Sequence, residues 1–221
     1  MLERLAEPDL MDDMAQAEAY AMADFAAPHD TFVALYQDKL GPPPAGARVL
    51  DLGCGPGDVC VRFARRYGDC SVVGLEGAAA MLEFGARIVA DAGLQSRVQL
   101  RRVYLPVETV ADAPFDAVIS NSLLHHLRDP LTLWSSIRRF GRPGAPVFVM
   151  DLMRPESCDS LRALVEEYAS GEPEILQRDF AASLHAAYRP DEVRQQLQHS
   201  GLEHLAIEVV SDRHLIVFGH L

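Results

Sequence analysis

The sequence predicts an α/β fold: a doubly wound, mostly parallel sheet with helices on both faces and an antiparallel strand at its end. Three observations predict it. After residue 47, short apolar runs alternate with stretches of helical periodicity, the pattern of repeated strand, helix, strand units. The first such run, Val49-Leu-Asp-Leu52, breaks into a glycine-rich loop and then into a helical stripe. The last two runs, Leu202–Val210 and His214–His220, are joined only by Ser211-Asp-Arg213, a link that permits a hairpin but not a parallel crossover of about a dozen residues.

The elements follow in order. With 221 residues, 49% of them hydrophobic, the chain suits one compact domain with a full core and would be thin as two. Residues 1–46 read as a helical cover and linker, with helical patterns around Asp9–Phe25 and Asp30–Leu40. Gly41-Pro-Pro-Pro-Ala-Gly46 then cannot continue a helix. Residues 47–221 hold the sheet, with strands expected at Arg48–Gly53, Ser71–Glu76, Val98–Val103, Phe115–Asn121 and Val147–Leu152. Val59, Phe63 and Tyr67 recur at the spacing of one helical face, and a second helix is expected over Ala78–Val89. Asp129 can cap the helix that Pro130 opens, Leu133 and Ile137 face inward, and Gly141 with Pro143 ends it. A helical insertion occupies 154–189, and a helix over Pro190–Ser200, closed by Gly201, leads into the terminal hairpin. The cover and the insertion both flank the carboxyl ends of the strands, where open α/β sheets bind ligands.

Composition excludes several functions. A net charge of -12 argues against a nucleic-acid backbone as partner, because such binding is driven by Lys and Arg. Lys39, the only lysine, lies ahead of the glycine loop, so the nucleoside triphosphate motif Gly-x-x-x-x-Gly-Lys-Ser/Thr is absent. The amino terminus lacks a basic segment followed by an apolar one, and no apolar run reaches the ~20 residues of a membrane helix. A cytoplasmic protein that does not engage a membrane is expected. Cys54, Cys60, Cys70 and Cys158 form no Cys-x-x-Cys pair, so free thiols and no metal are expected. Nothing in the sequence sets the oligomeric state.

The chemistry is concentrated in Val49-Leu-Asp-Leu-Gly-Cys-Gly-Pro-Gly-Asp58 and in Glu76, which closes the next apolar run. Gly53, Gly55 and Gly57 permit positive φ and close approach of the backbone to a ligand, and the helix after them aims N–H groups at an anion. Asp51 at the strand end suits an ammonium group, and an acid at the end of the second strand suits a ribose. This is the pattern of a nucleoside cofactor site. The nicotinamide fingerprint Gly-x-Gly-x-x-Gly differs in its third spacing.

These residues resemble the class I S-adenosylmethionine-dependent methyltransferases, whose first motif reads Val/Ile-Leu-Asp-Leu/Ile-Gly-Cys/Ser-Gly-x-Gly. The likeness covers nearly the whole chain after residue 47. It implies a Rossmann-like seven-stranded sheet, S-adenosylmethionine as cofactor and S-adenosylhomocysteine as product. By this resemblance Asp51, Gly53, Cys54, Gly55 and Gly57 hold the methionine portion and Glu76 with Gly77 beside it the ribose, while Met81 lies against the adenine or, equally, in the core face of Ala78–Val89. Asn121 would stand next to the sulfonium. Many members read the adenine amino group with an Asp after the third strand. Here the stretch is Arg102-Val103-Tyr104-Leu105-Pro106, which leaves adenine to backbone groups and Tyr104.

Methyl transfer from a sulfonium is an in-line displacement that needs alignment, desolvation and sometimes a base. Among Asn121-Ser-Leu-Leu-His-His-Leu-Arg-Asp129, His125 is the first candidate base and His126 the second, against a packing or capping role. Tyr20 resembles the tyrosine that small-molecule members place over the sulfonium, although it can equally anchor the cover. Arg154, Tyr168, Phe180, His185 and Tyr188 are candidate substrate contacts from the insertion and suit a small organic molecule with a carboxylate or hydroxyl. Asp212-Arg213-His214 reads as a structural turn. Arsenite methylation would need clustered thiols. The alternative from another class is a non-catalytic module that binds the cofactor or a partner on the same fold.

Overall fold

A computed structural model describes residues 2–7, 14–23 and 25–221. Two helices open the chain, α1 (Met14–Met22) and α2 (Ala26–Leu40). Residues 9–13 and Asp24 of the expected first helix lie outside the described residues. α2 starts ahead of the expected Asp30, with Pro28 in its first turn, where the missing N–H costs nothing. The alternating region runs β1 (Arg48–Leu52), α3 (Asp58–Arg66), β2 (Ser71–Glu76), α4 (Ala79–Asp91), β3 (Val98–Arg102), β4 (Ala117–Asn121), a single 3-10 turn at Leu124–His126, α5 (Leu131–Phe140) and β5 (Pro146–Leu152). The insertion is a helical pair, α6 (Cys158–Ala169) and α7 (Glu174–Ala186). It is followed by α8 (Pro190–His199), β6 (Ala206–Val209) and β7 (His214–His220).

The strands form one seven-stranded sheet in the order β3-β2-β1-β4-β5-β7-β6. β7 runs antiparallel to both β5 and β6, as the short terminal link demands, and the other pairings are parallel. The chain direction across the sheet reverses between β1 and β4, the switch point at which open sheets leave a crevice at their carboxyl edge. β6 is shorter than expected. Leu202 and Leu205, which extended the apolar run, are buried in a turn beneath α5 and α8, so the apolar signal there reports core contact rather than strand.

Alternation along each strand builds two core layers. Val49, Ile119, Phe148 and Met150 face α2 and α3, while Leu50, Leu52, Val118, Val147 and Val149 face α5 and α8. The expected stripe of Val59, Phe63 and Tyr67 is buried in the first layer. α2 does more than cover the sheet. Its Phe32 and Tyr36 meet Phe148 and Phe63 edge to face at 5.0 and 4.9 Å, and each buried aromatic of this kind contributes roughly 1.5–3 kcal/mol.

The first described segment, residues 2–7, is a strap laid against the insertion. Leu2 N donates to Glu156 O (2.8 Å) and Leu5 N to His185 O (3.2 Å). Arg4 donates to the carbonyls of Ala186, His125 and Leu127 and stacks over Tyr188 at 4.1 Å. Sequence reading assigned this strap no structure, because its contacts all lie distant in the chain. Among the described residues no helix is long and apolar enough to cross a membrane.

Candidate active site

A cavity of about 330 Å³ opens at the carboxyl ends of the strands around the β1/β4 reversal, within the size range of small-ligand sites. Its floor is the glycine loop. Gly53, Gly55 and Gly57 take φ of 70°, 52° and 80°, as the three alternating glycines predict. At Gly53 a Cβ would sit 2.7 Å from Leu123, whereas at Gly55 it would meet nothing within 4 Å, so the loop both packs closely and leaves open space above it. Among the described residues no side chain caps the N-terminus of α3, and its first-turn N–H groups point toward where an anion would sit.

Two acids flank the loop. Asp51 is 1% exposed. Its Oδ2 accepts from the Cys60 thiol at 3.1 Å, and its Oδ1 meets no donor among the described residues. Burial pushes its carboxyl up to about 7 against the Cys60 hydrogen bond, and the Glu76 charge adds to the rise. Glu76 Oε2 accepts from Gly55 N at 3.0 Å and Oε1 from Ala78 N at 2.8 Å, which orients the carboxylate and leaves further lone pairs on each oxygen. A second cavity of about 210 Å³ shares Gly53, Glu76 and Leu123 with the first and continues past Gly77, Val103, Tyr104, Leu105 and Asp129.

Catalytic and substrate candidates divide sharply by position. Tyr20, Asn121, His125, His126, Tyr168 and Phe180 line the large cavity, as does Met81, which also packs with Ala17 and Ala80. Burial, then the charges of Glu76, Asp58 and Asp151, push the Tyr20 phenol up to about 12, so it stays a neutral donor. Tyr104 is half exposed on the rim of the second cavity. Ser122, next to Asn121, adopts φ 55° without being glycine, a conformation that clusters at functional sites. Arg154, His185 and Tyr188 do not line either cavity. Arg154 is buried in a clamp to Glu192 (2.6 Å) and to the carbonyls of Ala187 and Leu2. Tyr188 donates to Leu127 O beneath Arg4, and His185 lends its carbonyl to the strap. Arg154 and Tyr188 stand in the two segments that flank the helical pair, bridged at Met153 and Tyr188, and His185 in the last turn of α7, and there they meet the strap rather than the cavity.

Several lining groups escaped sequence reading. Arg213 and His214, read as a turn, stand on the cavity wall, with the Arg213 guanidinium 3.3 Å over the Tyr168 ring and the Tyr168 hydroxyl on Asp212. Burial, with Arg213 beside it, pushes His214 down to about 4, so this imidazole is neutral near pH 7. His29 joins Asp58 at 2.6 Å beneath Phe25. Most consequential is Asp151, the one acid in the fully buried strand β5. Its Oδ1 lies 2.6 Å from His125 Nδ1 and its Oδ2 accepts from Leu124 N. Burial opposes a charge on His125, but Asp151, and then Glu7, outweigh it and raise the pKa above the ordinary value. An acid inside an otherwise apolar strand was the available signal.

A family model described as a methyltransferase domain matches residues 49–144. Phosphoethanolamine N-methyltransferase 1 of Zea mays is 29% identical over 82% of this chain, which spans only 33% of that enzyme's length. The ubiquinone biosynthesis O-methyltransferase of Acinetobacter baumannii is 26% identical over 87% of this chain and 82% of its own. A SAM-dependent methyltransferase from Aquifex aeolicus shares the fold with a TM-score of 0.68 at 18% identity, over 94% of this chain and 98% of its own.

Residues 49–144 thus match a methyltransferase domain, and the fold is that of S-adenosylmethionine-dependent methyltransferases.

The site fits S-adenosylmethionine. The buried acceptor Asp51 Oδ1 lacks a donor where an ammonium group would supply one, the loop over Gly55 is open, and Glu76 is already aimed by two backbone donors. The departure from the methyltransferase pattern after β3 stands: Tyr104 replaces an acid there, while Asp129 enters the second cavity from the loop before α5.

Proposed function

We propose that this chain transfers the methyl group of S-adenosylmethionine to an oxygen, nitrogen, carbon or sulfur atom of a small organic molecule. The observation that carries the reading is that one continuous cavity joins the glycine loop, Asp51 and Glu76 to a chamber walled by α1, α6, α7 and the β6–β7 hairpin. The relatives support it coarsely, since one is named for N-methylation and another for O-methylation.

When bound, the cofactor supplies an activated methyl group on a sulfonium sulfur. This chain's residues hold and align it. Asp51 Oδ1 accepts from the ammonium group, the first turn of α3 faces the carboxylate, and Glu76 accepts from the ribose hydroxyls. Gly77, Val103 and Tyr104 border the adenine, with Asp129 offering the carboxylate that the end of β3 lacks. Tyr20 and Asn121 orient the reacting centre. Phe180, Leu176 and Tyr168 exclude water from it, while Glu172, Asp179, Arg213 and His214 give the chamber wall its polar contacts. An acceptor that loses a proton loses it toward His125 and His126, and Asp151 fixes the His125 ring for that role.

The test is transfer of labelled methyl from S-adenosylmethionine to pooled phenols, amines and carboxylates, with His125→Ala alongside. Turnover is expected with one acceptor class. It should fall by about 10²–10⁴ in the variant, the usual weight of a general base, while S-adenosylhomocysteine affinity is unchanged. Tight cofactor binding without transfer to any pool would favour a non-catalytic module.

A further inference from the structure

Glu7, His125 and His126 converge more closely than methyl transfer requires. Glu7 Oε1 lies 3.5 Å from His125 Nε2 and 3.1 Å from His126 Nδ1, and one ligand atom from each residue falls within 4.8 Å of the others. Donors bound to a tetrahedral Zn²⁺ at about 2.0–2.1 Å stand about 3.3–3.4 Å apart by simple geometry. The two observed separations bracket that value.

The surroundings match as well. The far nitrogen of His125 is held by Asp151 at 2.6 Å, and Asp151 is itself fixed by the N–H groups of Leu124 (2.7 Å) and Leu152 (2.8 Å). A carboxylate behind a histidine in this manner sets the tautomer and ring orientation of a metal ligand. Three carboxylates, Glu7, Asp151 and Asp179, act on the cluster against the one guanidinium of Arg4, so the local charge favours a cation. His125 and His126 both line the chamber, which leaves the remaining coordination position facing a bound acceptor.

We propose that Glu7, His125 and His126 bind one divalent transition-metal ion, Zn²⁺ foremost, with Asp151 as the outer partner of His125 and an open position toward the chamber. Two imidazoles and a carboxylate are a donor set suited to Zn²⁺. This assigns a metal where the cysteine count alone led to the expectation of none, because Glu7 reaches the histidines only through the strap. Its purpose rests on the proposed methyl transfer. With the ion bound, the two imidazoles act as ligands in place of the general-base role of the metal-free site, and a hydroxyl or thiol acceptor on the ion loses its proton to solvent at a lowered pKa. The acceptor atom then forms a bond to the methyl carbon as the carbon–sulfur bond of the sulfonium breaks and its electron pair stays on sulfur.

The experiment needs no cofactor. The full chain, stripped with a chelator, is titrated with Co²⁺ alone and then with Zn²⁺ against a chromophoric chelator. One Co²⁺ per chain is expected, with the strong visible absorption of four- or five-coordinate cobalt, no thiolate charge-transfer band, and displacement by Zn²⁺. Glu7→Gln and His126→Ala should each weaken Zn²⁺ at least tenfold, and Asp151→Asn by about 10–100-fold. Because Asp151 also anchors backbone, Glu7→Gln on the strap carries the test if Asp151→Asn fails to fold. A six-coordinate cobalt spectrum, a thiolate band, or undiminished Zn²⁺ affinity in the Glu7→Gln, His126→Ala double variant would overturn the site. Binding of S-adenosylhomocysteine without specific metal binding sinks the metal site alone, whereas specific metal binding in a protein that takes up no S-adenosylhomocysteine sinks the methyl-transfer reading instead.

Discussion

Cofactor affinity should fall as pH drops below 7, and the fall should vanish in Asp51→Asn. Asp51 is 1% exposed with one carboxylate oxygen lacking a donor, and its carboxyl stands at about 7 in the free protein. An ammonium group against Oδ1 supplies both a donor and a positive charge, and returns the group to the ordinary carboxylate range near 4. Below pH 7 the free protein therefore holds a proton that the complex does not, and binding releases it. Each pH unit between about 7 and 4 then costs binding about 1.4 kcal/mol, a factor of ten. At pH 5 the Kd should be roughly a hundredfold weaker than at pH 8. Calorimetric titration with S-adenosylhomocysteine at pH 8, 7, 6 and 5, in paired buffers of different ionisation enthalpy, reads both the affinity and the protons released, which should approach one at pH 6. Asp51→Asn should bind weakly at every pH with no such slope. Flat affinity in the native protein, or proton uptake, would refute the placement of the ammonium group at Asp51. Free-protein stability should run the opposite way: a carboxyl raised on folding lets the folded state hold more protons than the unfolded one between about pH 4 and 7. Asp51 therefore lowers stability as pH rises through that window.

Glu76→Ala removes the acceptor of Gly55 N, Ala78 N and the ribose hydroxyls. At about 1.5–3 kcal/mol per hydrogen bond to a charged group, it should raise the S-adenosylhomocysteine Kd roughly a hundredfold or more, and an unchanged Kd would move the ribose elsewhere. Gly53→Ala places a Cβ 2.7 Å from Leu123 at φ 70°, a strain of about 1–3 kcal/mol. Its melting temperature should fall by roughly 2–4 °C per kcal/mol for a chain of this size, and a native-like melting curve would contradict the loop geometry. Arg154→Met removes the guanidinium from Glu192 and from the carbonyls of Leu2 and Ala187, while Arg189 still donates to Glu192 and Leu2 O. It should cost about 1–3 kcal/mol of stability yet leave cofactor affinity intact at low temperature; lost turnover at unchanged melting temperature would restore Arg154 as a substrate contact.

Much of the fold was legible because its signals are short-range. The three alternating glycines permit the left-handed backbone that a tight loop needs, and Ser211-Asp-Arg213 is too short for anything but a hairpin. Apolar alternation placed β1, β2 and β5 within a residue or so. It failed at Leu202 and Leu205, where burial by a turn imitates a strand. Among the site residues, Asp51, Gly53, Gly55, Gly57 and Glu76 gather as the motif implies, since one strand, one loop and the neighbouring strand deliver them. The insertion was less legible: Tyr168 and Phe180 face the cavity, whereas Arg154, His185 and Tyr188 belong to the clamp.

By itself the sequence determined the strand, loop and helix that shape the cofactor cradle, the antiparallel end of the sheet and the acid on the second strand, because each depends on backbone preference or on neighbours a few residues away. Only the tertiary structure decided that Asp151 stands behind His125, that Glu7 closes on both histidines, and that Arg213 and His214 face the chamber. Those meetings join residues far apart in the chain, brought together by the order of strands in the sheet and by the strap across the insertion, and no local periodicity encodes such distances.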